Sequence, residues 1–222
     1  MKVVIAFAVA WMIFLSSGLL AKHAPPGYPV WMAQVISKSA ILLLSLAAIR
    51  LLGPFDFRAA GFRLPENTKW KRVILPGLAL GAVATVAIRL SHSQGLAPML
   101  KGYPFAALVL VLWFGSSISE EIFTRGWFQS YIASSTPYAP QLSALLFASL
   151  HLRLLSLGIE PRAVAILFVG TLLLGLLAGQ FREQSKSLLP AIGVHIAFNI
   201  GGMVGGIVSL LFEKLILKGH TL

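Results

Sequence analysis

The chain alternates between long apolar runs and short polar breaks along most of its length. Most runs hold about the twenty residues that a helix needs to cross the hydrocarbon core of a bilayer. Proline and glycine mark several breaks, among them Pro25-Pro26-Gly27 and Gly53-Pro54. The pattern predicts an all-α polytopic membrane protein, a bundle of about seven (six to eight) transmembrane helices over residues 3–21, 30–52, 73–90, 105–130, 140–157, 163–181 and 188–212.

Composition supports the same class and removes several others. Hydrophobic residues make up 57% of the 222 residues and charged ones only 11%, which is more apolar surface than a soluble domain of this size can bury. The net charge of +11 comes from basic residues spread between apolar runs, so anionic lipid headgroups are the expected partners and nucleic acid is not. The absence of cysteine excludes disulfides, thiolate metal sites and a cysteine nucleophile.

The basic segment 53–72 predicts the orientation of the chain. It carries five basic residues against two acidic ones, so the positive-inside rule places it and the N-terminus in the cytoplasm, with the protein in the plasma membrane. Phe55, Phe57 and Phe62 alternate with its arginines and predict a segment lying at the headgroup level. Residues 1–21 resemble the start of a signal peptide. We favour a retained first helix, because the run is long and no clean A-x-A site follows.

Two adjacent carboxylates, Glu120 and Glu121, lie inside the fourth apolar run. Charge at membrane depth is costly, so such residues usually serve a function. Arg125 follows Glu121 at i+4 and predicts an ion pair with it on one helix face. Glu120 is rotated by about 100° from Glu121, which leaves it to face a cavity.

Later apolar runs supply the other polar groups. His151 is in the fifth run, and His195 and Asn199 share one face of the last run at i, i+4. A carboxylate, two imidazoles and a carboxamide around a wet pocket could activate water and stabilise an oxyanion. Alternatively, Glu120, His151 and His195 could hold a divalent metal such as Zn²⁺, so the cofactor is either none or such a metal.

Three motifs carry a family resemblance. Glu120-Glu121-Ile-Phe-Thr-Arg125 matches EExxxR, Phe147-Ala-Ser-Leu-His151 matches FxxxH, and His195-Ile-Ala-Phe-Asn199 matches HxxxN. In this order in a polytopic chain they resemble the CPBP family, which groups type II CAAX prenyl endopeptidases with bacteriocin-processing and self-immunity proteins. On this basis we divide the chain into N-terminal transmembrane helices (1–104), a catalytic core (105–205) and the end of the last helix with a short basic tail (206–222).

The resemblance implies an intramembrane endopeptidase. Glu120 would be the general base, His151 would help orient the attacking water, and His195 and Asn199 would stabilise the oxyanion. The supporting residues would be Glu121, Arg125 and Phe147. Descriptions of the family include both a metalloprotease and a metal-free glutamate mechanism, and the motifs fit either. The substrate would be a membrane-bound protein or peptide: a prenylated tail, a leader peptide or a C-terminal anchor.

Two other functions are compatible with an intramembrane cluster of charges. A non-catalytic membrane partner, such as a self-immunity protein, could keep the same fold, and its phenotype would survive Glu120→Ala. An ion-coupled transporter also uses intramembrane Glu, Arg and His, but it predicts broken helices in two matching halves. The chain shows no such symmetry.

Overall fold

Seven helices are long and apolar enough to cross a membrane in the computed structural model, which describes residues 1–22, 30–53, 56–65, 68–91 and 104–219. The described part of the chain contains no strand. We number the helices α1 (Lys2–Lys22), α2 (Val30–Leu51), α3 (Trp70–Leu90), α4 (Phe105–Ile132), α5 (Ala139–Leu157), α6 (Pro161–Ser185) and α7 (Leu188–Gly219).

The predicted helical bundle is therefore confirmed, and the chain is an integral, multi-pass membrane protein. The helices coincide with the apolar runs because the backbone of a membrane span must satisfy its hydrogen bonds internally, which a helix does. The limits differ modestly from the predicted spans: α3 begins at Trp70 and α7 extends to Gly219. His23, His92 and His220, Phe55 and the last residues of the predicted tail lie outside the described residues.

The fourth helix is not a regular α-helix. Two π-helical stretches, Leu108–Gly115 and Ile122–Gln129, flank the α-helical turn Ser116–Glu121 that ends on the paired glutamates. Helix α5 likewise changes to a 3₁₀-helix at His151. Such changes of helical winding are frequent at functional sites because they redirect individual side chains.

Glycines allow the closest helix contacts in the bundle. A Cβ atom added to Gly81 or Gly201 would collide with backbone atoms of the opposite helix, so α3 and α7 lie in direct backbone contact. Gly175 also brings α6 close to α5, where an added Cβ would lie 2.8 Å from the Cα of Ala144. Small residues are the usual means of helix association in lipid, where apolar side chains gain little by leaving the bilayer.

Two apolar clusters meet at α5. The first joins α1, α2 and α4 and includes Trp127 and Phe128 as well as Leu146 of α5. The second joins α3, α6 and α7 and includes the neighbouring residue of α5, Phe147. Helix α1 contributes to the first cluster through the Phe7 ring, which meets the Phe128 ring edge-on with centroids 5.0 Å apart. The polar groups of the motifs lie where these clusters adjoin.

Residues 56–65 of the basic segment are folded onto the bundle. The backbone NH of Leu188 donates to the carbonyl of Gly61 (3.0 Å), and the Ser187 hydroxyl donates to the carbonyl of Arg63 (2.5 Å). Phe57 and Phe62 remain 40% exposed, with their rings edge-on and centroids 5.4 Å apart. The segment is thus anchored to the start of α7 while presenting aromatic rings outward, which fits a position at the membrane surface.

Candidate active site

The Glu121–Arg125 ion pair predicted from the i, i+4 spacing is present. Oε1 of Glu121 lies 3.0 Å from Nη1 of Arg125, and both side chains are fully buried. Arg125 also donates to the hydroxyl of Thr124 (2.6 Å) and to the carbonyl of Gly175 on α6 (2.9 Å). The guanidinium therefore ties α4 to α6 and supplies the charge that a buried carboxylate needs.

Glu121 also orients His195. The same Oε1 lies 2.9 Å from Nδ1 of His195, so this nitrogen carries the proton when Glu121 is ionised. The other nitrogen, Nε2, then faces the neighbouring carboxylate, 3.8 Å from Oε2 of Glu120. One glutamate thus holds Nδ1 of the imidazole, while the other faces Nε2.

Glu120 differs from Glu121 in its surroundings. Its side chain is 18% exposed, in contrast to the fully buried Glu121, and its second oxygen, Oε1, accepts a hydrogen bond from the ammonium of Lys38 on α2. The predicted division between one held and one accessible carboxylate agrees with this geometry. Lys38 was not predicted as part of the site.

The position of Lys38 in the sequence nevertheless indicates that it has a partner within the bundle. It is a lysine in the middle of an apolar helix, and such a charge is expected to find a partner inside the bundle. The sequence does not indicate which carboxylate Lys38 contacts. Glu120 is 82 positions away, and only the packing of α2 against α4 brings the two side chains together.

Phe147 connects the two histidines. Its ring centroid is 5.0 Å from that of His151 and 5.3 Å from that of His195, and the Arg125 guanidinium lies over its face at 5.0 Å. Nδ1 of His151 lies 3.0 Å from the carbonyl of Phe147. His151 is close enough to Glu120 for the two to interact electrostatically.

Asn199 lies one turn beyond His195, as its spacing predicts. Its side-chain NH₂ donates to the hydroxyl of Ser117 on α4 (3.0 Å), and Ser117 in turn donates to the carbonyl of Trp113 (2.5 Å). Ser117 was not predicted either. It positions the carboxamide beside the turn that carries the two glutamates.

The metal alternative can be tested against these side chains. Both histidines have Nδ1 held by an acceptor, an arrangement that also supports zinc ligands. However, the ammonium of Lys38 occupies one oxygen of Glu120, and a cation there repels a divalent ion. Within the described residues no group of three His, Cys, Asp or Glu side chains is close enough to hold an ion. The position of the Lys38 ammonium therefore weighs against a metal ion held by Glu120, His151 and His195.

Comparison with known families bears on the same segment. Residues 102–201 match the model of a family described as type II CAAX prenyl endopeptidase, Rce1-like. The CPBP resemblance is confirmed over these residues. All three motifs lie inside the match. The family is one of proteases, which supports an enzyme of the CAAX intramembrane protease type acting on a peptide or protein substrate. No curated protein and no solved structure matches the chain.

Proposed function

We propose that this protein is an intramembrane endopeptidase in which Glu120 activates the attacking water without a metal ion. The observation that carries the proposal is the asymmetry of the two glutamates. Glu121 is fully buried between Arg125 and His195, whereas Glu120 is partly accessible and faces Nε2 of the same histidine. A general base must combine accessibility to water with a fixed position, and Glu120 meets both requirements.

The reaction would proceed by addition and elimination. Glu120 removes a proton from water, oriented with the help of Nε2 of His151, and the water oxygen forms a bond to the carbonyl carbon of the scissile peptide. The resulting oxyanion receives hydrogen bonds from the Asn199 side chain and from His195 when Nε2 is protonated, with Glu121 balancing the positive charge. Collapse breaks the carbon–nitrogen bond, and Glu120 returns its proton to the departing amine.

The substrate we propose is a lipid-modified C-terminal peptide, because the matching family is described as CAAX prenyl endopeptidases. A site within apolar helices suits a peptide whose attached chain already lies in the bilayer. Leader peptides and C-terminal membrane anchors are the other substrates that such a site could accept.

The test is a cleavage assay on purified protein in liposomes. A farnesylated peptide with a C-terminal CAAX sequence, its unprenylated counterpart and a transmembrane anchor peptide are incubated in ¹⁸O-labelled water, with and without 1,10-phenanthroline. We expect cleavage of the farnesylated peptide, one ¹⁸O in the new carboxylate by mass spectrometry, and the same rate with the chelator. Loss of activity on chelation that zinc restores would contradict the metal-free mechanism. Absence of cleavage of all three peptides would favour the non-catalytic partner instead.

Lys38 would act as a positioning residue for Glu120. Its ammonium holds Oε1, which leaves Oε2 to accept the proton of water. We expect Lys38→Met to lower kcat by about 10- to 100-fold with little change in KM, and Lys38→Arg to keep most of the activity, because guanidinium also pairs with a carboxylate.

The matched control is Lys71→Met, which removes an exposed lysine from the first turn of α3. Peptide cleavage and thermal unfolding are measured on all three variants. A structural role alone would lower the melting temperature and leave kcat of the folded fraction intact. That result, or an unchanged kcat in Lys38→Met, would exclude the positioning role.

A further inference from the structure

A polar cavity lies at the end of the bundle where α4 and α6 finish. It has a volume of about 440 Å³ and is formed by the described part of the basic segment together with the last turns of α4 and α6. Its charged lining consists of Asp56, Arg58, Arg63, Arg182, Glu183 and Lys186. Gln129 of α4 also lines it, nine residues after Glu120, which is roughly 10–13 Å along the helix. The cavity is therefore distinct from the candidate active site.

Arg182 is a buried charge without a carboxylate partner in the described part of the structure. The residue is only 6% exposed, and its Nη2 donates to neutral groups, the carbonyl of Ala59 (2.6 Å) and the Ser130 hydroxyl (3.4 Å). Its Nε has no hydrogen-bond partner among the described residues. Glu183 is close enough to attract Arg182, but it is itself paired with Lys186, so Arg182 lacks a negative partner of its own. Burying a cation without such a partner is unfavourable. An anion bound in the cavity would supply that missing charge.

The other cations strengthen the positive field. Arg63 is close enough to Arg182 to repel it, and its Nε donates to a backbone carbonyl, that of Lys186 (2.8 Å). Among the described residues Arg58 and Arg63 form no ion pair, whereas Glu183 is paired with Lys186 at 3.1 Å. The two carboxylates of the cavity have other partners: Oδ1 of Asp56 accepts a hydrogen bond from the backbone NH of Arg58, and Glu183 pairs with Lys186. Converging guanidinium groups are a usual means of binding phosphate.

We propose that this cavity binds the phosphate of an anionic phospholipid headgroup. The cavity is at the helix ends, where headgroups lie, and exposed Phe57 and Phe62 are on the same loop as Arg58 and Arg63. Aromatic rings at this level contact the lipid below the headgroup, which distinguishes a lipid from free phosphate. The bound lipid would join the basic segment to α4 and α6.

The site is tested on the full-length protein in detergent by native mass spectrometry and thermal unfolding. Phosphatidylglycerol, phosphatidylcholine and inorganic phosphate are added separately to the wild type, to Arg58→Gln and to Arg58→Gln/Arg63→Gln. Arg58 is suitable because in the described structure it contributes only backbone groups to hydrogen bonds. The matched control is Lys71→Gln/Arg72→Gln, which removes the same charge from exposed positions at the start of α3.

We expect the wild type and the control to retain phosphatidylglycerol and to be stabilised by it more than by phosphatidylcholine. The double variant should bind it about 10-fold more weakly, and Arg58→Gln should lie between them. If the control bound phosphatidylglycerol as weakly as the double variant, the binding would reflect general electrostatic attraction, and the proposed site would be excluded. Equal stabilisation of the wild type by inorganic phosphate would overturn the lipid assignment. Unchanged phosphatidylglycerol binding in the double variant would overturn the proposal altogether.

Discussion

Replacing Glu120 with glutamine should reduce peptide cleavage by about 10³-fold or more while the protein still folds and inserts. The amide is nearly isosteric, and its oxygen can still accept the hydrogen bond from Lys38, so the packing of α2 against α4 is retained. It cannot accept a proton from water near neutral pH, and general-base catalysis typically contributes about 10²- to 10⁴-fold. The initial rate on the farnesylated peptide, with melting temperature in parallel, measures the effect.

Glu160→Gln is the matched control for this change. It neutralises an exposed glutamate at the start of α6 that belongs to none of the three motifs, and it should leave the rate within twofold of wild type. Retention of more than about a tenth of the activity by purified Glu120→Gln would remove Glu120 from the role of base, because the lower limit for a general base is about 10²-fold.

Arg125→Met should cause the largest loss of stability in the protein. It leaves the Glu121 carboxylate fully buried with no guanidinium beside it, and removing one partner of a buried pair typically costs about 3–5 kcal/mol. It also breaks the hydrogen bond to the Gly175 carbonyl that joins α4 to α6. Unfolding of the purified protein in detergent should show a strongly lowered melting temperature.

A double variant separates the effect on stability of the unpaired Glu121 charge from the effect of the changed shape of the Arg125 side chain. Glu121→Gln/Arg125→Met removes both charges and should recover part of the stability lost in Arg125→Met.

Lys186→Met breaks the exposed Glu183–Lys186 pair, whose side chains are 55% and 54% exposed, and should change stability by less than about 1 kcal/mol. If Arg125→Met proved no more destabilising than Lys186→Met, the buried pair would not hold the site together.

Much of the candidate site followed from spacing along the chain. The i, i+4 spacing predicted the Glu121–Arg125 pair, and it predicted that Asn199 follows His195 on the same face. The different surroundings of Glu120 and Glu121 followed from their angular separation on one helix. These inferences succeed because they depend only on local helix geometry. The π-helical stretch after Glu121 changes that geometry, but not enough to separate Glu121 from Arg125.

Contacts between distant segments did not follow from spacing. Lys38 meets Glu120 across 82 positions, and Ser117 meets Asn199 across another 82. The basic segment was expected to lie at the headgroup level, but its hydrogen bonds to the start of α7 and its shared cavity with Arg182 were not foreseen. Glu121 was expected to pair with Arg125 and was found also to hold His195.

By itself, the sequence determined that this is a helical, multi-pass membrane protein with a polar cluster built on three motifs. The bilayer makes this prediction possible, because each span needs about twenty apolar residues and a charge within a span is costly unless it is paired or serves a function. Only the tertiary structure decided which groups surround each carboxylate. Those partners include Lys38 of α2 and His195 of α7, and the positions of these helices around α4 depend on glycine contacts and packing that no local pattern records.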